Sequence, residues 1–485
     1  MGLIPGLSGR GTPFPYKLEP SRAPPRRTAM RTPPPLASGP QGPDHLRPLL
    51  ATVLAALREG GQARGGPLPA GGPDAVTATV RDAVGEVLPE KGDPGALHTL
   101  VRVLAEGAAD PAHPRCAAHL HCPPLAVAAA ADLAASVLNP SLDSWDQAPA
   151  ASALESLLTR ALARETGHTD GLVTTGGTEA NQLALLLARE ARGAAVRLVH
   201  AAGAHHSLPR AAWLLGLPDP VEIPAPAGTL DPAALDDALT HLPGPHLVAA
   251  TAGTTDAGLI DPLPEIAARC AAHGARLHID AAYGGCLLFS DLHRHRLAGL
   301  EAAHTVTLDL HKLGWQPVPA GLLTVRDAGD LTALHHPTDY LNADDDTAAG
   351  LPDLLGRSLR TTRRPDVLKA AVTLKTLGRS GLGALVDRVC ALAGDFAHLV
   401  DDDPRFDLHD QPAISTVLFR PAHADDSGVA DVRRHLLVTG RAVLGRARAD
   451  GRLWLKATLL NPTTSTDDLA DLLTLVHRAH AEGSR

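Results

Sequence analysis

From Gly171 onward the apolar positions gather into short β-branched or aliphatic runs separated by stretches of helical character. The runs are "GLVTT", "VRLVH", "HLVAAT", "RLHID" and "HTVTLDL". Such alternation predicts an α/β unit with a mostly parallel central sheet covered by helices, expected over about residues 151–375. Residues 46–150 read as a helical domain with Pro-rich breaks, in which "LAVAAAADLAASVL" is expected as a buried helix. Beyond the α/β unit, "PDVLKAAVTLKTLGRSGLGALVDRVCALAGDFAHLV" predicts a long helix. "STVLFRP" and "RLWLKATLL" then predict strands of a smaller α+β domain over 376–485. No internal repeat is present.

Residues 1–45 have no apolar period and are dense in Pro, Arg, Gly and Ser, which predicts a disordered tail. They lack the apolar core of a secretory signal, and either Met1 or Met30 suits a start. No run of about 18 apolar residues occurs, so no membrane span is expected.

Composition narrows the class further. In 485 residues the formal net charge is -9, and no dense Lys/Arg run falls on an ordered segment, which argues against nucleic acid as a partner. The five cysteines (Cys116, Cys122, Cys270, Cys286, Cys390) include no CxxC pair. That pattern suits reduced thiols in a cytoplasm and makes zinc an unattractive reading.

The chemistry gathers at strand ends. "TTGGTEAN" sets Gly176, Gly177 and Thr178 between a strand and a helix, where free N–H groups and the helix dipole make an anion site; a plain strand-to-helix turn is the alternative. No Gly-Lys pair follows, so this is not a Walker loop. "RLHIDAAYGG" ends a strand on Asp280, placing a carboxylate at the ligand crevice of such a sheet, or else a helix cap. "LDLHK" ends another strand and plants Lys312 where a buried lysine needs a partner or a reaction. A phosphate cradle, an acid and a lysine are the set that holds pyridoxal phosphate.

These motifs, in order with "HPRCAAHLHCPP", "NPSLDSWDQAPAASALE", "AHHSLPRAAWLLGL", "AGTTDAGLIDPLPEI", "SLRTTRRPDVLK" and "LKATLLNPTT", resemble the group II pyridoxal-phosphate-dependent amino acid decarboxylases. The resemblance spans about His113 to Leu473 and is strongest to the branch of 2,4-diaminobutyrate and siderophore-pathway lysine decarboxylases. It implies a fold type I, aminotransferase-like architecture and a homodimer with the cofactor at the interface. It further implies that Lys312 forms the Schiff base with pyridoxal 5'-phosphate, that Asp280 pairs with the pyridine nitrogen, and that His205 and Ala282 cover the two ring faces. Gly177 and Thr178, with Asp309 nearby, are implied around the phosphate, Thr255 near the ring hydroxyl, and His311 beside the lysine. Pro365 departs from the family block, which usually reads Arg-Arg-Phe-Asp, and the departure bears on where the next helix starts.

The proton donor and the substrate follow less directly. The tyrosine that donates in the aromatic branch is replaced by Leu354, while "HHPTDYLNADDD" offers Tyr340, either as donor or as an ordinary loop residue. His119 and His121 stand where other branches hold their substrates. Asp143 stands where the aromatic branch is apolar, in a loop that the resemblance implies reaches into the partner's site. A carboxylate kept in a pocket expects a cation, which favours a diamino acid such as lysine, ornithine or 2,4-diaminobutyrate. A helix cap or a local partner is the plainer role for Asp143. Transamination or aldehyde formation on the same scaffold, and a non-catalytic cofactor-binding protein, are the rival functions. GxSxG and HExxH are absent, which sets hydrolase readings aside.

Overall fold

The computed structural model describes residues 34–335, 343–351 and 354–483. The chain divides into Met1–Arg47, of which the described part is a turn entering the first helix, and a compact unit Pro48–Arg485. Among the described residues, five helices, Gly42–Arg64, Gly72–Val84, Ala96–Gly107, Ala126–Leu138 and Pro149–Glu165, precede the first strand. In the alanine-rich helix Ala126–Leu138, Ala128, Ala131 and Ala135 are buried along one stripe, whereas Leu138 is exposed. The expected buried helix is therefore buried on one face only.

The central sheet has seven strands: β1 (Asp170–Thr174), β2 (Arg197–Ala201), β3 (Val221–Ile223), β4 (His246–Thr251), β5 (Arg276–Ala281), β6 (Thr305–Asp309) and β7 (Gly321–Val325). Their order is β1-β7-β6-β5-β4-β2-β3, parallel throughout except for β7, which runs antiparallel to both neighbours. Every residue of β1, β4, β5, β6 and β7 is buried, as expected of strands with helices on both faces. The order puts the C-terminal ends of β1, β4, β5 and β6 along one edge, with Thr251 paired to Asp280 and Asp280 to Thr307.

A second, antiparallel sheet, β10-β11-β9-β8, comprises β8 (Phe406–Leu408), β9 (Thr416–Pro421), β10 (Gly445–Ala449) and β11 (Arg452–Thr458). The long helix runs Val367–Asp401 and turns at Gly378, whose φ of +67° is a left-handed value that glycine adopts without strain. Pro365 lies just before that helix, and its carbonyl accepts from Leu368 N at 3.0 Å. Proline at the mouth of a helix removes an N–H that has no intrahelical acceptor, so the departure at this position suits the start of the helix.

Trp315 joins the layers. It is fully buried with φ +50°, its Nε1 donates to Leu460 O at 2.8 Å, and its own carbonyl accepts from Leu125 N at 2.9 Å. The turn after β6 is thereby tied to segments on both sides of the central sheet in sequence.

Candidate active site

The strand ends enclose a cavity of about 290 Å³. Gly177, Thr178, His205, Thr255, Asp280, Ala282, Asp309, His311 and Lys312 all line it, so nine positions spread over more than 130 residues of sequence meet at one edge of the sheet.

β1 delivers the anion site. The helix Gly177–Arg192 starts immediately after the turn, with Gly176 at its cap and no side-chain cap bond, so its first amides and its positive dipole end face the cavity. The glycines are steric requirements. A Cβ on Gly176 would lie 2.9 Å from His311 Cε1, and one on Gly177 would lie 3.0 Å from Ala282 Cβ and 3.3 Å from Asp309 Oδ2. Glu179 accepts from Thr175 N at 2.5 Å through Oε2 and from Arg360 Nε at 3.2 Å through Oε1, which closes the turn from outside.

β6 delivers the amine. Lys312 Nζ is 3.0 Å from Asp309 Oδ2, and His311 Nε2 is 3.5 Å from the same oxygen. Asp309 Oδ1 is buried without a hydrogen-bond partner, as is Thr251 Oγ1, and both residues line the cavity. Buried polar atoms are nearly always satisfied, so two orphans on residues that line one cavity point to a polar ligand there. An amine, an anion cradle too tight for a Cβ, a buried carboxylate and two orphaned oxygens fit pyridoxal phosphate. The lysine turn is braced by Cys122 Sγ, which donates to His311 O at 3.2 Å, and by Gln316 Nε2, which donates to Gly314 O and to Thr373 Oγ1.

β5 delivers Asp280, whose Oδ2 accepts from Asn181 Nδ2 at 2.8 Å and whose Oδ1 accepts from Ala282 N at 3.1 Å. His205, in the loop after β2, holds its Nδ1 2.7 Å from Ser207 Oγ. Burial pulls the His205 imidazole below its ordinary pKa, against the opposing pull of Asp280, so it is neutral at pH 7. His311 is lowered in the same way, by burial first and by Lys312 in addition, against Asp309.

Three sequence-derived substrate candidates lie elsewhere in this chain. His119 and His121 are exposed and do not line the cavity; Leu120 between them does. Asp143 is buried outside the lining, and its Oδ1 accepts from Gln147 Nε2 at 2.8 Å, a local partner of the plainer kind. Tyr340 lies outside the described residues, and Leu354 opens the short helical turn Leu355–Arg357.

Sequence reasoning passed over Thr251, Gly253, Tyr283 and Asn181. Tyr283 lines the cavity and bonds Ser415 Oγ at 2.9 Å and Thr416 Oγ1 at 3.0 Å, linking the site to the second sheet; burial raises its phenol to about 12. Gly253 has φ +109°, and a Cβ there would lie 2.9 Å from Gly284 N. Asn181 is fully buried four residues into the helix that begins at Gly177, and its signal was a polar residue on that helix's apolar face.

Residues 86–422 match the family described as the pyridoxal-dependent decarboxylase conserved domain. L-2,4-diaminobutyrate decarboxylase of Rhizobium meliloti (strain 1021) is 41% identical over 403 residues, covering 78% of this chain and 81% of the relative. The protein of the same name from Acinetobacter baumannii is 31% identical over 404 residues, covering 75% and 79%. Among solved structures, the glutamate decarboxylase domain of diaminobutyrate-pyruvate transaminase and L-2,4-diaminobutyrate decarboxylase from Vibrio parahaemolyticus matches with a TM-score of 0.81. That match has 30% identity and covers 92% of this chain and 98% of that one.

Proposed function

Since the chain belongs to the pyridoxal-dependent decarboxylase family and acts as a pyridoxal-phosphate-dependent amino acid decarboxylase, we propose that its substrate is a diamino acid, 2,4-diaminobutyrate foremost. The observation that carries the substrate class is the 41% identity to a diaminobutyrate decarboxylase across most of both chains. Lysine and ornithine are the neighbouring candidates of the same class.

The bound cofactor supplies an electron sink for the pair left behind as CO₂ departs. The protein's own residues do the rest in this proposal. Lys312 would provide the covalent anchor, and Asp309, 3.0 Å from Nζ and with one buried oxygen unpartnered, would steady that amine. The amides at the start of Gly177–Arg192, with Thr178, hold the phosphate. Asp280 would keep the ring nitrogen protonated, Ala282 would pack one ring face, and His205 would cover the other while orienting the scissile carboxylate. Thr255 approaches the ring hydroxyl.

The functional unit is proposed to be a homodimer, in which a second copy brings "SLDSWDQ" to the site. Trp145 in that segment is exposed on the single chain although the residues around it, Leu142 to Ser144, are buried. In that arrangement Asp143 reads the distal ammonium of the substrate. The test is CO₂ release from a panel of protein and diamino acids, with kcat/KM for a diamino acid divided by that for an uncharged amino acid of similar length. Wild type prefers the diamino acid, and Asp143→Asn lowers the ratio about tenfold or more, as for loss of a hydrogen bond to a charged group. A wild type that prefers aromatic or acidic substrates overturns the substrate class. A ratio untouched by Asp143→Asn overturns the role of Asp143 alone.

A further inference from the structure

Behind the cavity wall a chain of hydrogen bonds runs from β6 to His205, and its donors and acceptors can be assigned from chemistry. A carboxylate accepts hydrogen bonds, so the end of the Asn181 amide facing Asp280 Oδ2 at 2.8 Å is the NH₂ group. The Asn181 carbonyl then faces two donors, Thr307 Oγ1 at 3.1 Å and His278 Nε2 at 2.9 Å. His278 therefore carries its proton on Nε2, and its Nδ1 accepts from Thr305 Oγ1 at 2.9 Å. Burial lowers the His278 pKa to about 4, so that ring is neutral at pH 7.

The second hydrogen of the Asn181 amide goes to Ser207 Oγ at 2.9 Å. The Ser207 backbone N–H, which can only donate, faces His205 Nδ1 at 3.3 Å, so Nδ1 is an acceptor and the hydroxyl hydrogen of Ser207, whose oxygen is held by Asn181, points to it as well, 2.7 Å away. Two donors converging on Nδ1 leave no room for a proton on that nitrogen. The proton of the neutral ring belongs on Nε2, on the side of the imidazole that is left to face the cavity the ring lines.

We propose that Asn181, acting through Ser207, is a positioning residue that locks His205 as its Nε2–H tautomer, so that the ring presents a hydrogen-bond donor to an anionic substrate group. The same amide nitrogen holds Asp280, so one buried side chain sets both the acid beneath the ring nitrogen and the imidazole on the ring face. An Nε2 lone pair at this position would repel a carboxylate; an N–H bonds it. The catalytic consequence rests on the decarboxylase reading above, whereas the tautomer itself does not.

The experiment is ¹⁵N NMR of the full-length protein, with its cofactor and after cofactor removal, labelled at histidine, with His205→Gln used to assign His205 among the 25 histidines. In wild type, His205 Nε2 is expected to be pyrrole-like and coupled to a proton, and Nδ1 pyridine-like. Ser207→Ala and Asn181→Ala are expected to populate the Nδ1–H form and to lower kcat by about ten- to a hundredfold, the worth of one hydrogen bond to a charged group. Ser207→Thr, which keeps the hydroxyl, is expected to keep the wild-type pattern. A proton on Nδ1 in the wild-type protein overturns the proposal even if both alanine variants fail to fold, and so does a folded Ser207→Ala protein with an unchanged tautomer. Because the tautomer is read without turnover, a wrong substrate or reaction leaves this result intact, and a wrong tautomer leaves the decarboxylase assignment intact.

Discussion

Lys312 Nζ stands 3.0 Å from Asp309 Oδ2, an ion pair closed within one turn after β6, while Asp309 Oδ1 is buried with no partner. On the proposed reading the lysine serves two ends, as the covalent anchor and as the cation that offsets a buried carboxylate, and the two can be separated. Lys312→Ala removes both, so borohydride-trappable adduct and turnover are lost and stability falls by about 1–3 kcal/mol. Lys312→Arg keeps the charge, so stability is largely retained while adduct and turnover are still lost. Mass spectrometry after borohydride reduction, beside a urea unfolding midpoint, checks both; a reducible adduct in either variant contradicts the role of Lys312.

Asp280→Ala is expected to retain cofactor and lose most of the rate, because an unprotonated ring is a poor electron sink. The substitution also strips Asn181 Nδ2 of its acceptor and Ala282 N of its own. Retained absorbance with kcat lowered by about a hundredfold or more is the expected result, and near-normal turnover is the contrary one.

Trp315→Ala is expected to cost about 3–5 kcal/mol and to weaken cofactor retention together. The indole fills a fully buried site and donates to Leu460 O, and its backbone is the end of the lysine turn. A lowered denaturation midpoint with unchanged cofactor affinity would separate the turn's geometry from its packing.

Arg363 and Glu155 form a fully buried pair at 2.7 Å, and Arg363 also holds the segment around Leu142 through its carbonyl, 2.9 Å from Leu142 N. Glu155→Ala leaves a buried guanidinium unpaired and is expected to cost about 3–5 kcal/mol. Glu155→Leu combined with Arg363→Met is expected to cost less than the sum of the single changes, as read from a double-mutant cycle of unfolding midpoints.

His278 makes stability depend on pH in a stated direction. Burial disfavours the charged ring and holds its folded pKa at about 4, below the ordinary histidine value of about 6.5. Between those values the unfolded chain binds the extra proton, so stability falls as pH drops from about 6.5 to about 4. His168, also lowered to about 4 by burial, adds to the same slope. Denaturant midpoints at pH 7, 6 and 5 check the trend, and His278→Gln is expected to flatten it.

The sequence by itself determined the fold class, the five longer parallel strands that end near the site, and nine of the positions that meet in its cavity. Strand ends are set by local pattern, and in a parallel sheet the residue at such an end has little choice of where to face. Local pattern is also where the reading stopped. β7 reads as "GLLTV" after a Pro-rich turn, and only the β6 and β1 ladders on either side of it make it a strand. β3 and β8 span three residues each, and β10, "GRARA", is polar on its exposed face. Asn181 and Tyr283 were illegible because a polar side chain on an apolar face has no meaning until its partners are known, and those partners come from residues up to 133 positions away. Leu120 rather than His119 or His121 lines the cavity because only the fold decides which of three adjacent residues turns inward. Tertiary structure alone joined Ser207, Asn181, Asp280 and His278 into one directed network, since hydrogen-bond direction depends on which groups meet and not on where they stand along the chain.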